Sequence, residues 1–262
     1  MKSAIRYVLL GVAFYVLFLI IQFPAKTAYY FLEDALAQQK IPVKLYGIKG
    51  TLWKGSASRL VYNKLPFNQL DWEFHPWALL TGKASVTVKY RNENSFALGT
   101  VSRSVLGGTT LENAQAKMSA TELLAIAKVP AFKLGGEFNL NLPLLELSEQ
   151  KVQQVHGRVV WSNAESVFPQ KLRLGDLFAN LTTADDGVIA AKLGDAGGPL
   201  EMDGSLSVAP DGKYDFKALF ADRKGRHTTL GRALGFMGRY NPQNKVEFKK
   251  NGNISEFGFL VK

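Results

Sequence analysis

The hydrophobic pattern of the chain has two textures. Residues 4–23 form an almost unbroken apolar run, preceded by Lys2 and interrupted near its start by Arg6. A bilayer core needs roughly 20 apolar residues of helix, and the run supplies about that many. Ala28, Phe31, Leu32, Ala35 and Leu36 then recur at helical spacing through Lys40, with Pro24 at the first turn and Ile41-Pro42 ending the pattern. The spacing predicts a juxtamembrane amphipathic helix whose apolar stripe lies on the domain that follows. Tyr29 and Tyr30 suit the aromatic belt of a membrane interface.

From residue 43 the period changes from 3.6 to 2. Ala84, Val86, Val88 and Tyr90 alternate with Ser85, Thr87, Lys89 and Arg91, the pattern of a half-buried strand. Strands are expected at 43–49, 57–62, 70–74, 96–101, 114–118, 138–142, 155–161, 172–181, 188–193, 200–208 and 214–220. Asp186-Gly187 and Pro210-Asp211-Gly212 mark turns between them. Two short helices interrupt the series. Ser119 and Glu122 make a capping box before Leu123, Leu124 and Ile126, with an end at Val129-Pro130. Leu230, Ala233, Leu234 and Met237 share one side of a helix within 226–239. Val246, Phe248, Gly252, Phe257, Phe259 and Val261 read as a closing hairpin.

These elements predict a mainly β protein: a single N-terminal transmembrane helix, then an antiparallel β-rich domain with short helices. The domain is expected as an elongated curved sheet or a sandwich. Gly50, Trp53 and Ala57 are echoed by Gly157, Trp161 and Ala164, which points to duplication of a β-unit. The expected segments are 1–23, cytoplasmic tip and membrane helix; 24–40, juxtamembrane helix; and two β-units at 41–150 and 151–262.

Cleavage of the first segment is the competing expectation. Signal h-regions run about 7–15 residues, which this run exceeds. Phe23, Pro24 and Lys26 stand where small cleavage-site residues would be needed. With Lys2 and Arg6 on the short side, the positive-inside rule places the N-terminus in the cytoplasm and the β-units outside, in the periplasm of a Gram-negative cell. Composition agrees with export. The chain has no cysteine, which removes disulfides, thiol catalysis and cysteine metal sites. Its net charge of +10 is scattered rather than clustered, which fits a surface near anionic lipid better than nucleic-acid binding.

No catalytic constellation emerges. His75, His156 and His227 lack the spacing of a metal motif, and no serine sits in a G-x-S-x-G turn. The paired glycines at 107–108, 135–136 and 197–198 are not followed by Gly-Lys-Ser/Thr. Asp185-Asp186-Gly187 lacks the ligand spacing of a calcium loop and reads as a turn. No catalytic, cofactor-binding or metal-binding residue is assigned, and no cofactor. The aromatic content is more telling: Trp53, Trp72, Trp77, Phe67 and Phe74 fall in one short region, expected either as sheet core or as an exposed apolar surface. Gly50 and Gly55 flank a segment in which Trp53 is expected to enter the core, with structural roles for all three.

At Gly50-x-Leu52-Trp53-x-Gly55-x-Ala57 the chain resembles the type II secretion system protein N family (general secretion pathway protein N). Phe23-Pro24-Ala25, Leu70-x-Trp72, Leu79-Leu80-x-Gly82 and the late Leu234-Gly235-x-x-Gly238-Arg239-Tyr240 support the likeness, which spans nearly the whole chain. The resemblance implies a non-enzymatic inner-membrane component of protein export, with other secretion-system proteins as partners. Repeated β-units behind one anchor also resemble AsmA-like proteins, which implies a phospholipid partner in a hydrophobic β-groove instead.

Overall fold

The computed structural model describes residues 2–38, 41–63, 65–127, 133–148, 151–167 and 171–254. The chain divides into two compact units, Met1–Asn92 and Glu93–Lys262. Both are dominated by β-strands, and every strand pairing within each unit is antiparallel.

The first unit begins with helix α1 (Lys2–Ile21), followed after Pro24 by α2 (Ala25–Gln38). From Arg6 to Ile21 the side chains of α1 are exposed on every side, as an apolar helix without protein neighbours must be. Among the described residues, whose side chains in α1 start at Arg6, no helix is long and apolar enough to cross a membrane. Five strands follow: β1 (Val43–Tyr46), β2 (Lys49–Gly50), β3 (Lys54–Tyr62), β4 (Leu65–Phe74) and β5 (Lys83–Arg91). They pair in the order β1-β3-β4-β5, with β2 on the start of β3. A 3₁₀ helix, Pro76–Thr81, connects β4 to β5.

The second unit is a meander. β6 (Phe96–Ser104), β7 (Thr109–Ser119), β8 (Leu134–Ser148), β9 (Lys151–Ser166), β10 (Leu172–Thr183), β11 (Ile189–Asp195), β12 (Leu200–Val208), β13 (Lys213–Asp222) and β14 (Val246–Asn253) are neighbours in chain order. The boundary expected at 150 falls between β8 and β9, which are hydrogen-bonded partners inside this unit. Two helices interrupt the meander, α3 (Ala120–Ala127) and α4 (Thr229–Met237). The capping box forms in part: Ser119 Oγ accepts the Glu122 N–H at 3.2 Å, while the Glu122 carboxylate takes the Ser95 hydroxyl at 2.5 Å. The ends expected at Lys40 and at Val129-Pro130, and the closing strand at Phe257, Phe259 and Val261, lie outside the described residues.

A sandwich would bury the facing side chains of two sheets. Here most strand positions are half-buried, and the second unit has two small clusters of buried apolar residues. One joins Leu200 and Val246 to Leu230 and Leu234 of α4. The other links Ala114, Leu142 and Val155 across β7–β9. The two tryptophans of the internal echo stand in different settings, Trp53 in the turn from β2 to β3 and Trp161 inside β9.

Candidate functional site

A helix ends with four backbone carbonyls that lack intrahelical donors. At the end of α1 the glycine–tryptophan segment supplies one donor to the last turn, beside the Phe23 N–H that reaches the same Ile20 carbonyl at 3.3 Å, and one to Phe23, just past the helix. The Trp53 indole donates from Nε1 to the Ile20 carbonyl at 2.7 Å, and the Leu52 N–H donates to Phe23 O at 2.9 Å. Pro24 and Thr51 form an isolated bridge between them. The segment is itself fixed to the sheet: Phe74 N donates to Trp53 O at 2.6 Å, the Trp53 and Phe74 rings meet edge-on at 5.3 Å, and Trp72 Nε1 donates to Leu52 O at 3.2 Å.

The motif glycines have direct steric reasons. Gly50 has φ of +88°, where a side chain is strained. Gly55 lies across the ladder from Trp72, and a Cβ there would stand 2.4 Å from the indole. Ala57 is fully buried. Trp53, expected in the core, is half-buried instead: its indole is occupied in capping α1 rather than in filling a sheet interior.

Helix α2 docks beside this clamp largely by the face its spacing predicts: Ala28, Ala35 and Leu36 are half-buried and Leu32 lines the cavity beneath, while Phe31 turns outward. Ala25 is buried, Tyr29 is half-buried, and Phe31 stands beside Tyr30. The Tyr29 hydroxyl accepts the Leu45 N–H of edge strand β1 at 3.0 Å. Between α2 and the sheet lies an apolar cavity of about 350 Å³, lined by Ala28, Leu32, Leu45, Leu52, Trp72 and Phe74 among others. The aromatic cluster read from the sequence is therefore divided. Phe67 is buried edge-on to Tyr90, Trp72 and Phe74 line the cavity, and Trp77 stands in solvent on the 3₁₀ helix at 80% exposure.

The second unit offers two contrasting surfaces. Ala116, Leu140, Val159, Ala179, Leu193, Gly204, Ala218 and Phe248 form one register across β7–β14. The neighbouring register is Gln115, Asn141, Arg158, Asn180, Lys192, Ser205, Lys217 and Lys249. Because successive strand residues point to opposite faces, one face of the sheet is apolar and the other polar and basic. Gly194 is required on the polar face, since a Cβ would meet the Phe178 ring, on which Arg158 stacks at 4.6 Å.

At the β11–β12 connection Asp195 is an anchor. Its carboxylate accepts the Gly197 N–H and the Met202 N–H, each at 2.8 Å, and Arg223 Nη2 at 2.7 Å. Burial alone would raise the Asp195 pKa. The two backbone donors and the Arg223 guanidinium outweigh it and hold the carboxyl below its ordinary value. Tyr240 moves the other way, upward through burial first and then the Asp222 charge, against the Arg226 cation over its ring.

Among the described residues no cluster of three or more His, Cys, Asp or Glu could hold a metal ion. The structure does not bring the histidines together: His75 Nε2 lies 2.8 Å from Thr87 Oγ1, in a different unit from His156 and His227. Asp186 serves the hairpin turn, its carboxylate accepting the Val188 N–H at 3.1 Å. Sequence reasoning missed the role of Trp53 as a cap. The signal that could have found it is the row of unpaired carbonyls any helix end leaves.

Residues 42–249 match the family model "Type II secretion system (T2SS), protein N". The chain belongs to the type II secretion system protein N family. Its relatives include the type II secretion system protein N of Vibrio cholerae serotype O1, 24% identical over 97% of this chain and 100% of the relative. That of Aeromonas hydrophila is 24% identical over the same shares, and that of Klebsiella pneumoniae 23% identical over 96% and 97%. No solved structure matches significantly. The matched family is a component of the secretion machinery, and the Gly50–Ala57 segment, α2 contacts aside, lies within the matched region.

Proposed function

We propose that this protein is a non-enzymatic component of the type II secretion system, held at the inner membrane by residues 4–23 with its N-terminus cytoplasmic and its sheets in the periplasm. The observation that carries the reading is the clamp at the end of α1. A 20-residue helix reaches about 30 Å, the thickness of a bilayer core, and the sheet ties its far end through Trp53 and Leu52. Such a joint makes the periplasmic sheet a direct extension of an anchor, suited to positioning other secretion proteins. The exposed apolar side chains from Tyr7 to Ile21 support the same reading. Alkaline carbonate extraction tests it. The full chain should stay with the membrane pellet and a chain lacking residues 1–23 should be released; release of the full chain overturns the anchor.

A second reading rests on the apolar register of the second unit. Eight strands without one charged or polar side chain in that register form a surface suited to acyl chains. Native mass spectrometry decides between them. Stoichiometric phospholipid on the purified chain favours a lipid-holding sheet, and crosslinks to secretion proteins without lipid favour the scaffold.

A further inference from the structure

The 3₁₀ helix Pro76–Thr81 exposes large apolar side chains that no protein surface covers within its unit. Trp77 is 80% and Leu80 81% exposed, with Leu79 half exposed beside them. This is not a loose loop. Ala78 N donates to His75 O at 3.1 Å, Thr81 Oγ1 to Ala78 O at 2.8 Å, and Gly82 N to Leu79 O at 3.0 Å. Gly82 closes the turn in the left-handed region, at φ of 70°. His75 fixes the base, donating its N–H to Ser85 O at 2.8 Å. The backbone is therefore set with Trp77 and Leu80 pointing out.

The clamp limits how far this knob can stand from the end of α1. Trp53 caps Ile20 at the end of α1, and Phe74, in ring contact with Trp53, is the last residue of β4. Three residues span at most about 10 Å, so Trp77 cannot lie farther than that from Phe74. The headgroup layer outside a bilayer core is of similar depth, about 5–8 Å per side. Exposed tryptophan and leucine within that reach suit the headgroup–acyl boundary, where amphipathic aromatics collect. Lys83, exposed at the start of β5, adds a cation suited to anionic headgroups.

We propose that Pro76–Thr81 is a second membrane contact, inserting Trp77 and Leu80 into the headgroup–acyl boundary of the bilayer that α1 crosses. The inference rests on the anchor reading above. With one helix as its sole tie, the sheet could pivot about the joint; a second contact fixes its tilt to the membrane surface.

The chain has no native cysteine, so a single introduced thiol can carry an environment-sensitive nitrobenzoxadiazole label. W77C, L80C, V16C and R59C variants of the full chain would be reconstituted in phosphatidylethanolamine–phosphatidylglycerol vesicles containing lipid with a nitroxide on the acyl chain near the carbonyl. Arg59 is an exposed control, five residues beyond Lys54 and so about 17 Å along β3. W77C and L80C should be quenched at least about two-fold more than R59C, as expected of groups about 5–10 Å into the boundary. Quenching at position 16 with none above control at both 77 and 80 overturns the knob and leaves the anchor standing. No quenching at position 16 overturns the anchor, and the knob with it.

Discussion

Trp53 illustrates how a residue can be assigned to the right class and the wrong place. Flanking glycines correctly signal close backbone approach at Gly50 and Gly55, and the steric reasons are a positive φ and the Trp72 ring. What the local pattern does not contain is the partner: the Ile20 carbonyl lies 33 residues earlier in the chain. The structure separates two contributions of the indole, and substitution can do the same. W53F keeps an aromatic ring against Phe74 and removes only the donor to Ile20, so it should cost about 0.5–1.5 kcal/mol. W53A removes the ring as well; because the side chain is half-buried, the loss should fall near about 2–3 kcal/mol, below the range for a fully buried tryptophan. Denaturant unfolding of the full chain in detergent measures both. A W53F variant as stable as the parent chain would refute the cap.

At the scale of elements, the period-two alternation marks nearly every strand because each has one apolar and one polar face. The failures have local causes. Pro143 ends the readable part of β8 at Leu142, yet the strand continues to Ser148, the proline being absorbed where the β8–β9 register shifts. Gln69, Asn113 and Asn163 adopt positive φ inside strands, breaking the alternation with a twist that composition does not announce. The Pro76–Thr81 helix is too short to show a period. Connections between elements were equally hidden, and Asp195 is the case with a measurable consequence. It joins the β11–β12 turn to Arg223 beyond β13, its side chain only 7% exposed. Its pKa is depressed by folding, so its contribution is complete above the unfolded value of about 3.9 and is lost as pH falls through the lower folded value. D195N should therefore lower stability by about 1–3 kcal/mol at neutral pH, with the gap to the parent chain closing below about pH 4. A gap that persists unchanged at pH 3 would mean that packing rather than charge dominates.

At the largest scale, the alternation within single strands adds up to a property of the second unit that no strand has alone. Antiparallel pairing aligns the apolar positions of β7 to β14 into one register and the polar positions into the next. A one-residue slip in any strand would exchange the faces, so the two registers guard the pairing. They also make adjacent residues unequal. Leu193 lies in the apolar register, between Ala179 and Gly204; Lys192 lies in the polar one, between Asn180 and Ser205. L193E places a charge among apolar neighbours and should cost about 1–3 kcal/mol, whereas K192E changes an exposed position and should stay within about 0.5 kcal/mol. Phospholipid recovery from the same two purified variants gives a second readout. If the apolar face holds acyl chains, L193E loses bound lipid and K192E keeps it; if the face serves only to hold the strands in register, neither variant changes lipid content while L193E alone melts early. Equal destabilisation by both substitutions would show that the faces are not distinct, and the register argument would fail with it.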